Sequence, residues 1–314
     1  MTDPAKTPLA FIGCDVGKVT IAVFDSRGQH TRSIPNQADD LATFAKSLDP
    51  DCFVVCEATG GHEAALLAAM VSAGIPAHRA DARKVKAFIR SYGTLGKTDA
   101  IDARALARYG TERHPGLARW QPRDTWRDQL QSLVLTRNDL VATRVAYANR
   151  LGAPGAKAGT PFLEAVVATL DAQILAVDAA TKALIHDNAP LRQAVVTLTS
   201  ITSIGIVTAA SLLALMPELG SLDRRQVAAL GGLAPHPNQS GASDGYRRTK
   251  GGRPEVRKAL FMAALSAARH HKTLRPFYET LIARGKKKLV ALVAVMRKLL
   301  IICNAVLRPG AAAA

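Results

Sequence analysis

Short apolar runs and amphipathic stretches alternate over the first 110 residues. Residues 9–15 and 19–25 are apolar runs that each end on an aspartate, and a third short run lies near 29–34. Runs of this length, separated by turn residues, are typical of strands, and they predict a three-stranded antiparallel meander. The pattern then predicts, in chain order, a helix over 39–48, a strand over 51–56, a helix over 62–73, a strand over 75–80 and helices over 82–92 and 98–109.

A meander followed by alternating strands and helices indicates a mixed sheet with helices on its faces. This order is that of the RNase H-like nuclease fold, although the pattern alone also fits other α/β domains. The run at 51–56 is continuously apolar, which is typical of a buried parallel strand. Residues 1–110 are therefore predicted to form one α/β domain.

Helix-forming residues dominate from about 124 to 188, with a break at 152–155. Apolar residues recur at helical spacing on both sides of the break, which favours an antiparallel hairpin or a dimerising coiled coil. Residues 111–190 are assigned to this helical linker, and residues 191–314 to a second, mostly helical domain.

Within the last domain, residues 289–307 approach the length of a membrane span. Arg297 and Lys298 lie at the centre of this segment, where charge in a bilayer is costly. A buried amphipathic helix is therefore predicted, and no membrane association is expected.

The positive charge is concentrated in the last quarter of the chain. The sequence holds 41 Lys and Arg against 25 Asp and Glu, a formal charge of +16. Residues 1–110 carry a net +1, residues 111–235 a net +2 and residues 236–314 a net +13. Such a block predicts a surface for a polyanion, nucleic acid first. A solvated basic tail is the alternative, but helical apolar patterning is interleaved with the block.

Composition narrows the class of protein further. A hydrophobic content of 48% excludes disordered and fibrous chains, and an aromatic content of 5% argues against stacking platforms for single strands. The four cysteines, at positions 14, 52, 56 and 303, lack the spacing of a disulfide scaffold or a metal site. They predict buried thiols in a reducing cytoplasm, and the polar N-terminus is unlike a signal peptide.

Four carboxylates occupy positions that an α/β sheet would bring together. Asp15 ends the first strand and Glu57 ends the buried parallel strand. Asp99 and Asp102 lie three residues apart, which places both on one face of a helix. Strand ends meet at the crevice beyond the carboxyl edge of a sheet. Converging carboxylates repel one another unless cations lie between them, and their hard oxygens suit Mg²⁺.

These acids therefore predict a phosphoryl-transfer site that holds two Mg²⁺ ions, with Lys97 placed to meet a phosphate. One ion would activate the attacking hydroxyl and the other would stabilise the leaving oxygen. A solvated surface or helix-cap role is the alternative for any single acid.

Several segments resemble one family. FIGCDVGKVTIAVFD, VVCEATGGHE and KVKAFIRSYGTLGKTDAIDARALARYG resemble the Asp-Glu-Asp-Asp signature of the DEDD transposases of the IS110 insertion-sequence family, relatives of the Piv-type invertases. The phrase KTDAIDARALA is the most specific. TSIGIVTAASLLA and GGLAPHPNQSGASDGYRRTKGGRPEVRKALFMAA resemble the second, transposase domain of that family. The resemblance covers nearly the whole chain and implies a RuvC-like catalytic domain with Asp15, Glu57, Asp99 and Asp102 as its metal-site carboxylates.

The Gly/Pro/Ser-rich stretch at 235–254 predicts a solvated loop, which is also where a flexible nucleophile surrounded by cations would lie. A serine hydroxyl is a weak nucleophile that needs activation by a base or a metal. The resemblance implies that a serine of the segment QSGAS at 239–243 joins DNA covalently. Ser240 and Ser243 match the two serines of the family motif, and Ser240 is selected as the nucleophile.

The segment ITSIGIVTAA at 201–210 resembles one helix-hairpin-helix, which presents backbone N–H groups to a DNA phosphate. The family shows Pro-Gly-Ile-Gly at this turn, whereas Thr202 and Ser203 replace the first Pro-Gly here. A plain helical turn is the alternative.

Cations of the basic block, together with Lys97, are assigned to nucleic acid. The assigned residues are Lys97, Arg247, Arg248, Lys250, Arg253, Arg257, Lys258, Lys286, Lys287 and Lys288.

The resemblance implies a prokaryotic, cytoplasmic recombinase that acts on donor and target double-stranded DNA. It also implies a structured guide RNA, the bridge RNA, and a homo-oligomer, a dimer that becomes a tetramer in the synaptic complex. Two alternatives stay open. One is a metal-dependent junction resolvase or nuclease that needs no serine, and the other is a non-catalytic nucleic-acid-binding protein.

Overall fold

The structure is a computed structural model that describes residues 8–28, 30–93, 96, 98–155, 157–240 and 243–308. The chain divides into two compact units, Met1–Pro122 and Arg123–Ala314. The long helices that follow residue 123 thus belong to the same unit as the C-terminal elements. The boundaries at 110 and 190 that the sequence suggests stay predictions.

A five-stranded mixed sheet forms the centre of the first unit. Its strands are β1 (Ala10–Val16), β2 (Thr20–Asp25), β3 (Thr31–Pro35), β4 (Cys52–Glu57) and β5 (Ala77–Ala80). They lie in the order β3-β2-β1-β4-β5. The first three pair antiparallel, whereas β4 is parallel to β1 and β5 is parallel to β4. The predicted meander and mixed sheet are confirmed, and the arrangement is compatible with an RNase H-like domain.

Helices cover both faces of this sheet. They are α1 (Ala38–Ser47), α2 (Ala64–Ser72), α3 (Ala82–Ser91) and α4 (Asp99–Arg113), and a 3₁₀ turn (His114–Gly116) follows. Because strand side chains alternate between faces, Ile12 and Cys14 join a core with α1 and α2. Phe11 and Phe53 join a second core with α3 and α4 on the opposite face. Burial on both faces explains the continuous apolar runs in the sequence.

The second unit is mostly helical. Its elements are α5 (Thr125–Leu151), α6 (Thr160–Asp187), α7 (Ala189–Thr199), α8 (Ile206–Leu215), α9 (Arg224–Leu230), β6 (Pro235–Ser240), β7 (Ser243–Thr249), α10 (Pro254–His270), α11 (Leu274–Ala283) and α12 (Lys288–Val306). A 3₁₀ turn (Lys157–Gly159) precedes α6. A single apolar core joins most of these helices.

Helices α5 and α6 form an antiparallel hairpin. Arg137 Nε lies 2.6 Å from Asp178 Oδ1, and Arg144 Nε lies 2.6 Å from Asp171 Oδ1. A step of seven residues forward along α5 is thus a step of seven residues backward along α6, which fixes the antiparallel direction. Of the two arrangements that the sequence left open, the hairpin is the one observed within the chain.

Helix α12 is a core helix of the second unit. Among the described residues, α12 is the one helix whose length and apolar composition would allow it to cross a membrane. Its Val295, Leu299 and Cys303 are buried in the core. The charged Lys298 lies on the exposed side of the helix, with its Nζ 3.8 Å from the centroid of the Phe277 ring. One face of α12 is therefore buried and another is charged, which confirms the predicted buried amphipathic helix.

All four cysteines are buried free thiols, as predicted. Burial raises the pKa of Cys52 to about 11 and that of Cys56 to about 12. Burial also raises the pKa of Cys303 to about 12. The thiols are therefore protonated at neutral pH and pack as small apolar side chains.

Candidate active site

Two of the predicted acids lie side by side at the carboxyl ends of parallel strands. In the β1–β4 ladder Cys14 pairs with Cys56, so Asp15 and Glu57 are the next residues of their strands. The cysteines face the core under α1 and α2, and alternation turns both acids toward the face that α3 and α4 cover. Both acids are partly buried.

Glycines let helix α4 lie directly on β1. A Cβ atom on Gly13 would lie 1.9 Å from the backbone oxygen of Ala103 and 2.5 Å from the backbone nitrogen of Ala107. A Cβ atom on Gly110 would lie 2.9 Å from the side chain of Phe11. No side chain fits in these places, and the close approach brings the first turn of α4 to the end of β1 that carries Asp15.

That first turn of α4 carries the other two acids. The Oγ1 atom of Thr98 caps the helix by accepting a hydrogen bond from the Ile101 N–H at 3.2 Å. Asp99 and Asp102 follow in the first turn, where the partial positive charge of the helix N-terminus favours carboxylates. Capping therefore sets both where the helix starts and where its two acids lie.

The four acids line one cavity of about 550 Å³. Asp15 comes from β1, Glu57 from β4, and Asp99 and Asp102 from α4. Within the described residues, no three acidic, histidine or cysteine side chains converge closely enough to form a ready metal cluster. The donor set nevertheless fits Mg²⁺ in its chemistry, because all four side chains are hard oxygen donors on the wall of one cavity.

Two cations that the sequence prediction missed line the same cavity. Lys86 and Arg90 are exposed residues of α3, and Ile89 lies with them on the cavity wall. Their i, i+4 spacing on a predicted helix was a usable signal, since it places both charges on one face. Lys97, the cation that was assigned here, lies outside the described residues.

Glu63 supports the chain just after Glu57. Its side chain is 2% exposed and accepts hydrogen bonds from the Thr59 N–H at 3.1 Å, the Gly61 N–H at 2.9 Å and Arg79 Nε at 2.7 Å. Burial opposes ionisation, but the backbone N–H groups and Arg79 outweigh it and lower the pKa of Glu63. The turn that follows β4 is thus organised around a buried carboxylate.

The segment predicted as a solvated loop is largely a β-hairpin, which corrects that prediction. Strands β6 and β7 pair antiparallel with Ser240 opposite Ser243 and a register shift between His236 and Asn238. All six residues of β6 are exposed. The backbone ladder, rather than a buried face, is therefore the source of the strand structure. Ser240 lies at the exposed end of β6, next to the undescribed residues 241 and 242.

Close backbone contact holds the two ends of the hairpin segment. A Cβ atom on Gly252 would lie 2.2 Å from the Gly232 nitrogen, and both glycines have positive φ, +64° and +65°. The Arg253 N–H donates to the Leu230 oxygen at 2.9 Å. The base of the hairpin is thus fixed to the end of α9.

The cations assigned to nucleic acid divide into exposed and structurally engaged groups. Arg253 donates to both carboxylate oxygens of Glu218 at 2.8 Å and to the Leu215 oxygen at 2.7 Å. Arg257 donates to the Gly251 oxygen at 2.7 Å. These two arginines brace the hairpin base. The exposed members of the set are Arg247, Arg248, Lys250, Lys258, Lys286, Lys287 and Lys288.

The segment at 201–210 forms the turn between α7 and α8 and the start of α8. Ser203 has a φ of +83°, in the left-handed region that favours glycine. The backbone therefore keeps the shape that a glycine would give, although the chain has serine there. Gly205 precedes the first helical residue of α8. Ile206 and Val207, at the start of the helix, are each 46% exposed.

Comparison with known proteins agrees with this architecture. Residues 12–153, which include all four acids, match a family of DEDD transposases of the IS110 type, described as "Transposase". Residues 196–279, which include Ser240, match the family described as "Transposase IS116/IS110/IS902 family". The pilin gene-inverting proteins of Moraxella lacunata and Moraxella bovis are each 30% identical over 228 residues, which are 71% of this chain and 70% of each relative. A protein of insertion element IS110 from Streptomyces coelicolor is 32% identical over 163 residues, 48% of this chain and 39% of that protein. The chain belongs to the IS116/IS110/IS902 family of transposases, enzymes that cut and rejoin DNA.

Proposed function

We propose that the protein is a metal-dependent recombinase of an insertion sequence that joins itself to DNA through Ser240. The observation that carries the proposal is the cavity lined by Asp15, Glu57, Asp99 and Asp102. The proposal includes a RuvC-like arrangement of the first unit, in which these acids hold two Mg²⁺ ions. When bound, Mg²⁺ would polarise a DNA phosphate and stabilise the charge that develops on it.

The residues of the cavity have complementary roles in this proposal. Among the described residues that line the cavity, four carboxylates outnumber two cations, Lys86 and Arg90, and this negative balance favours divalent cations. Lys86 and Arg90 sit on α3 at the cavity wall, where they would neutralise phosphate oxygens of the DNA backbone. Phosphate contacts of this kind fix the position of a nucleic acid without reading its sequence.

Ser240 would carry the covalent step. Its Oγ forms a bond to the scissile phosphorus, the bond from phosphorus to the 3′ oxygen breaks, and the hydroxyl proton ends on that 3′ oxygen. The products are a serine–DNA phosphodiester and a free 3′ hydroxyl. A 3′ hydroxyl of a second strand then displaces the serine oxygen, so the bond energy is conserved and no ATP is needed.

A comparison of Ser240→Ala with Ser243→Ala tests the nucleophile. The wild-type protein, mixed with labelled DNA that carries the ends of its own element and Mg²⁺, should give a covalent protein–DNA adduct on a denaturing gel. Ser240→Ala should abolish the adduct and Ser243→Ala should retain it. An undiminished adduct from Ser240→Ala would refute the assignment. Hydrolysed DNA without strand joining, equal in both variants, would favour the resolvase or nuclease alternative.

We also propose that a structured guide RNA and a homo-oligomer take part, a dimer that becomes a tetramer at synapsis. The net +13 of residues 236–314 supports a nucleic-acid surface, since RNA and DNA backbones are held chiefly by Lys and Arg. Ribonuclease treatment of the purified complex should abolish recombination, and added transcript of the DNA that flanks the gene should restore it. Recombination that survives ribonuclease would remove the RNA from the proposal.

A further inference from the structure

A cavity of about 410 Å³ lies at the base of the β6–β7 hairpin, within the second unit. Its apolar wall is formed by Leu233, Leu289, Val290, Val293 and Ala294. Leu289 is 63% exposed and Val290 is 36% exposed. Apolar side chains that stay open to water around a cavity are typical of a binding site rather than of a core. This site is called the hairpin-base cavity below.

Three arginines also line the hairpin-base cavity, together with Pro235 and Thr249. Arg247 and Arg248 come from β7, and Arg297 comes from α12. No carboxylate is among its lining residues in the described part of the chain. The exposed residues Lys286, Lys287 and Lys288 directly precede Leu289 in the chain and add to the positive charge at this end of α12. The site therefore combines an apolar wall with uncompensated cations.

We propose that the hairpin-base cavity holds an unpaired nucleobase of the bound nucleic acid, whose flanking phosphates lie on the arginines. A phosphate alone would need the cations but not the apolar wall. An apolar peptide would need the wall but would leave the cations without partners. A nucleotide satisfies both, since a base has apolar faces and guanidinium planes stack on it.

The inference deepens the proposed function and rests on it, because it assumes that this unit binds nucleic acid. Pro235 lines the cavity and Ser240 ends the same strand. Five residues of strand span about 16 Å, at roughly 3.3 Å per residue. A base held in the cavity would thus anchor the strand a short distance from the serine. The low aromatic content of the chain is no obstacle, because arginines and aliphatic side chains form the walls.

Oligomers with and without bases test the inference. Full-length protein is titrated with oligothymidylate of about 20 nucleotides, and with an abasic oligomer of equal length and charge. Burial of the apolar faces of a base is favourable, so the wild type should prefer the oligomer with bases by about fivefold or more. Ala294→Phe fills the cavity and should remove this preference, so that the two oligomers bind with similar affinity. Oligouridylate in a parallel titration distinguishes RNA from DNA as the source of the base.

Matched controls separate the outcomes. Ala305→Phe adds the same ring to an exposed position of α12 that does not line the cavity, and it should keep the preference. If circular dichroism shows that Ala294→Phe does not fold, Leu289→Ser takes its place, because Leu289 is an exposed residue of the cavity wall. Leu289→Ser should reduce the preference for the oligomer with bases by a smaller amount. A preference that is absent in the wild type, or retained in Ala294→Phe, overturns the inference. Failure of the wild type to bind any oligomer or duplex would instead count against the proposed function.

Discussion

The acid-lined cavity of the first unit and the β6–β7 hairpin of the second are supported in opposite ways. Asp15 and Glu57 lie on strands whose other residues are all buried. Asp99 and Asp102 lie in the first turn of α4, a helix pressed so closely on β1 that only glycine fits at Gly13. Ser240 lies on a strand whose six residues are all exposed, and the hairpin is held at its base by Gly232 and Gly252. The proposed metal chemistry, which depends on several donors in a fixed arrangement, thus has a rigid frame. The proposed nucleophile, the Ser240 hydroxyl, sits at the end of an open backbone ladder.

Removing one carboxylate should have the largest effect. Asp102→Asn takes a charged donor from the cavity and should lower DNA cleavage by at least about a hundredfold, since a bound metal contributes several kcal/mol of charge stabilisation. Single-turnover cleavage with Mg²⁺ measures this. Asp39→Asn is the matched control, because Asp39 also lies in the first turn of a helix. Equal cleavage rates for Asp102→Asn and Asp39→Asn would show that Asp102 of the cavity is not needed for cleavage.

Adding a methyl group at Gly13 tests the rigid frame itself. In Gly13→Ala the new Cβ meets backbone atoms of α4, which cannot rotate away as a side chain would. Overpacking of this kind should lower the free energy of unfolding by about 3 kcal/mol. It should also lower cleavage by displacing Asp99 and Asp102. Chemical denaturation and the cleavage assay measure both effects.

The control for that change is Gly116→Ala, whose Cβ would meet nothing within 4 Å. It should leave both stability and cleavage unchanged. If Gly13→Ala were as stable and active as Gly116→Ala, the support of the acid cavity would be no tighter than that of the hairpin.

The same contrast explains what the sequence could predict. In the first unit, short apolar runs bounded by turn residues predicted all five strands, and apolar residues at helical spacing predicted the four helices. Asp15 and Glu57 were then found as the polar ends of buried runs. β6 has no buried face, so its hydrophobic pattern carries no strand signal, and its composition predicted a loop. Lys86 and Arg90 were missed because a charge on a helix is usually solvated, and only the packing of α3 shows which cavity they line.

The buried carboxylate of Glu63 should have an intermediate effect. In Glu63→Gln the neutral amide replaces an acceptor of charge-assisted hydrogen bonds, which should cost about 2 kcal/mol of unfolding free energy. Because the folded pKa is lowered, the stabilisation is fully present above the unfolded value near 4.5 and is lost as pH falls through the folded pKa. The variant should therefore lose stability less steeply in acid than the wild type does.

Unfolding titrations across this acidic range measure the difference for Glu63. The control is Glu112→Gln, in which an exposed carboxylate paired with Arg108 is changed. Exposed pairs contribute little, so this variant should resemble the wild type near neutral pH. A parallel acid dependence of Glu63→Gln and the wild type would show that other groups set the acid limit.

The smallest effect is expected at the turn before α8, where the second unit contains strain. Among the described residues, Ser203 is the non-glycine residue with a positive φ, and its Oγ is buried without a hydrogen-bond partner. Ser203→Gly should relieve both costs and raise the free energy of unfolding by about 1 kcal/mol. Ser203→Ala removes the hydroxyl but keeps the strained backbone, so it should gain less. Thermal unfolding of the pair decides between the two causes, and an alanine variant as stable as the glycine one would assign the cost to the hydroxyl. If only Ser203→Gly raised the free energy of unfolding, the cost would lie in the left-handed backbone of Ser203. The turn before α8 would then carry a strain that Gly232 and Gly252, which also have positive φ, avoid at the base of the hairpin.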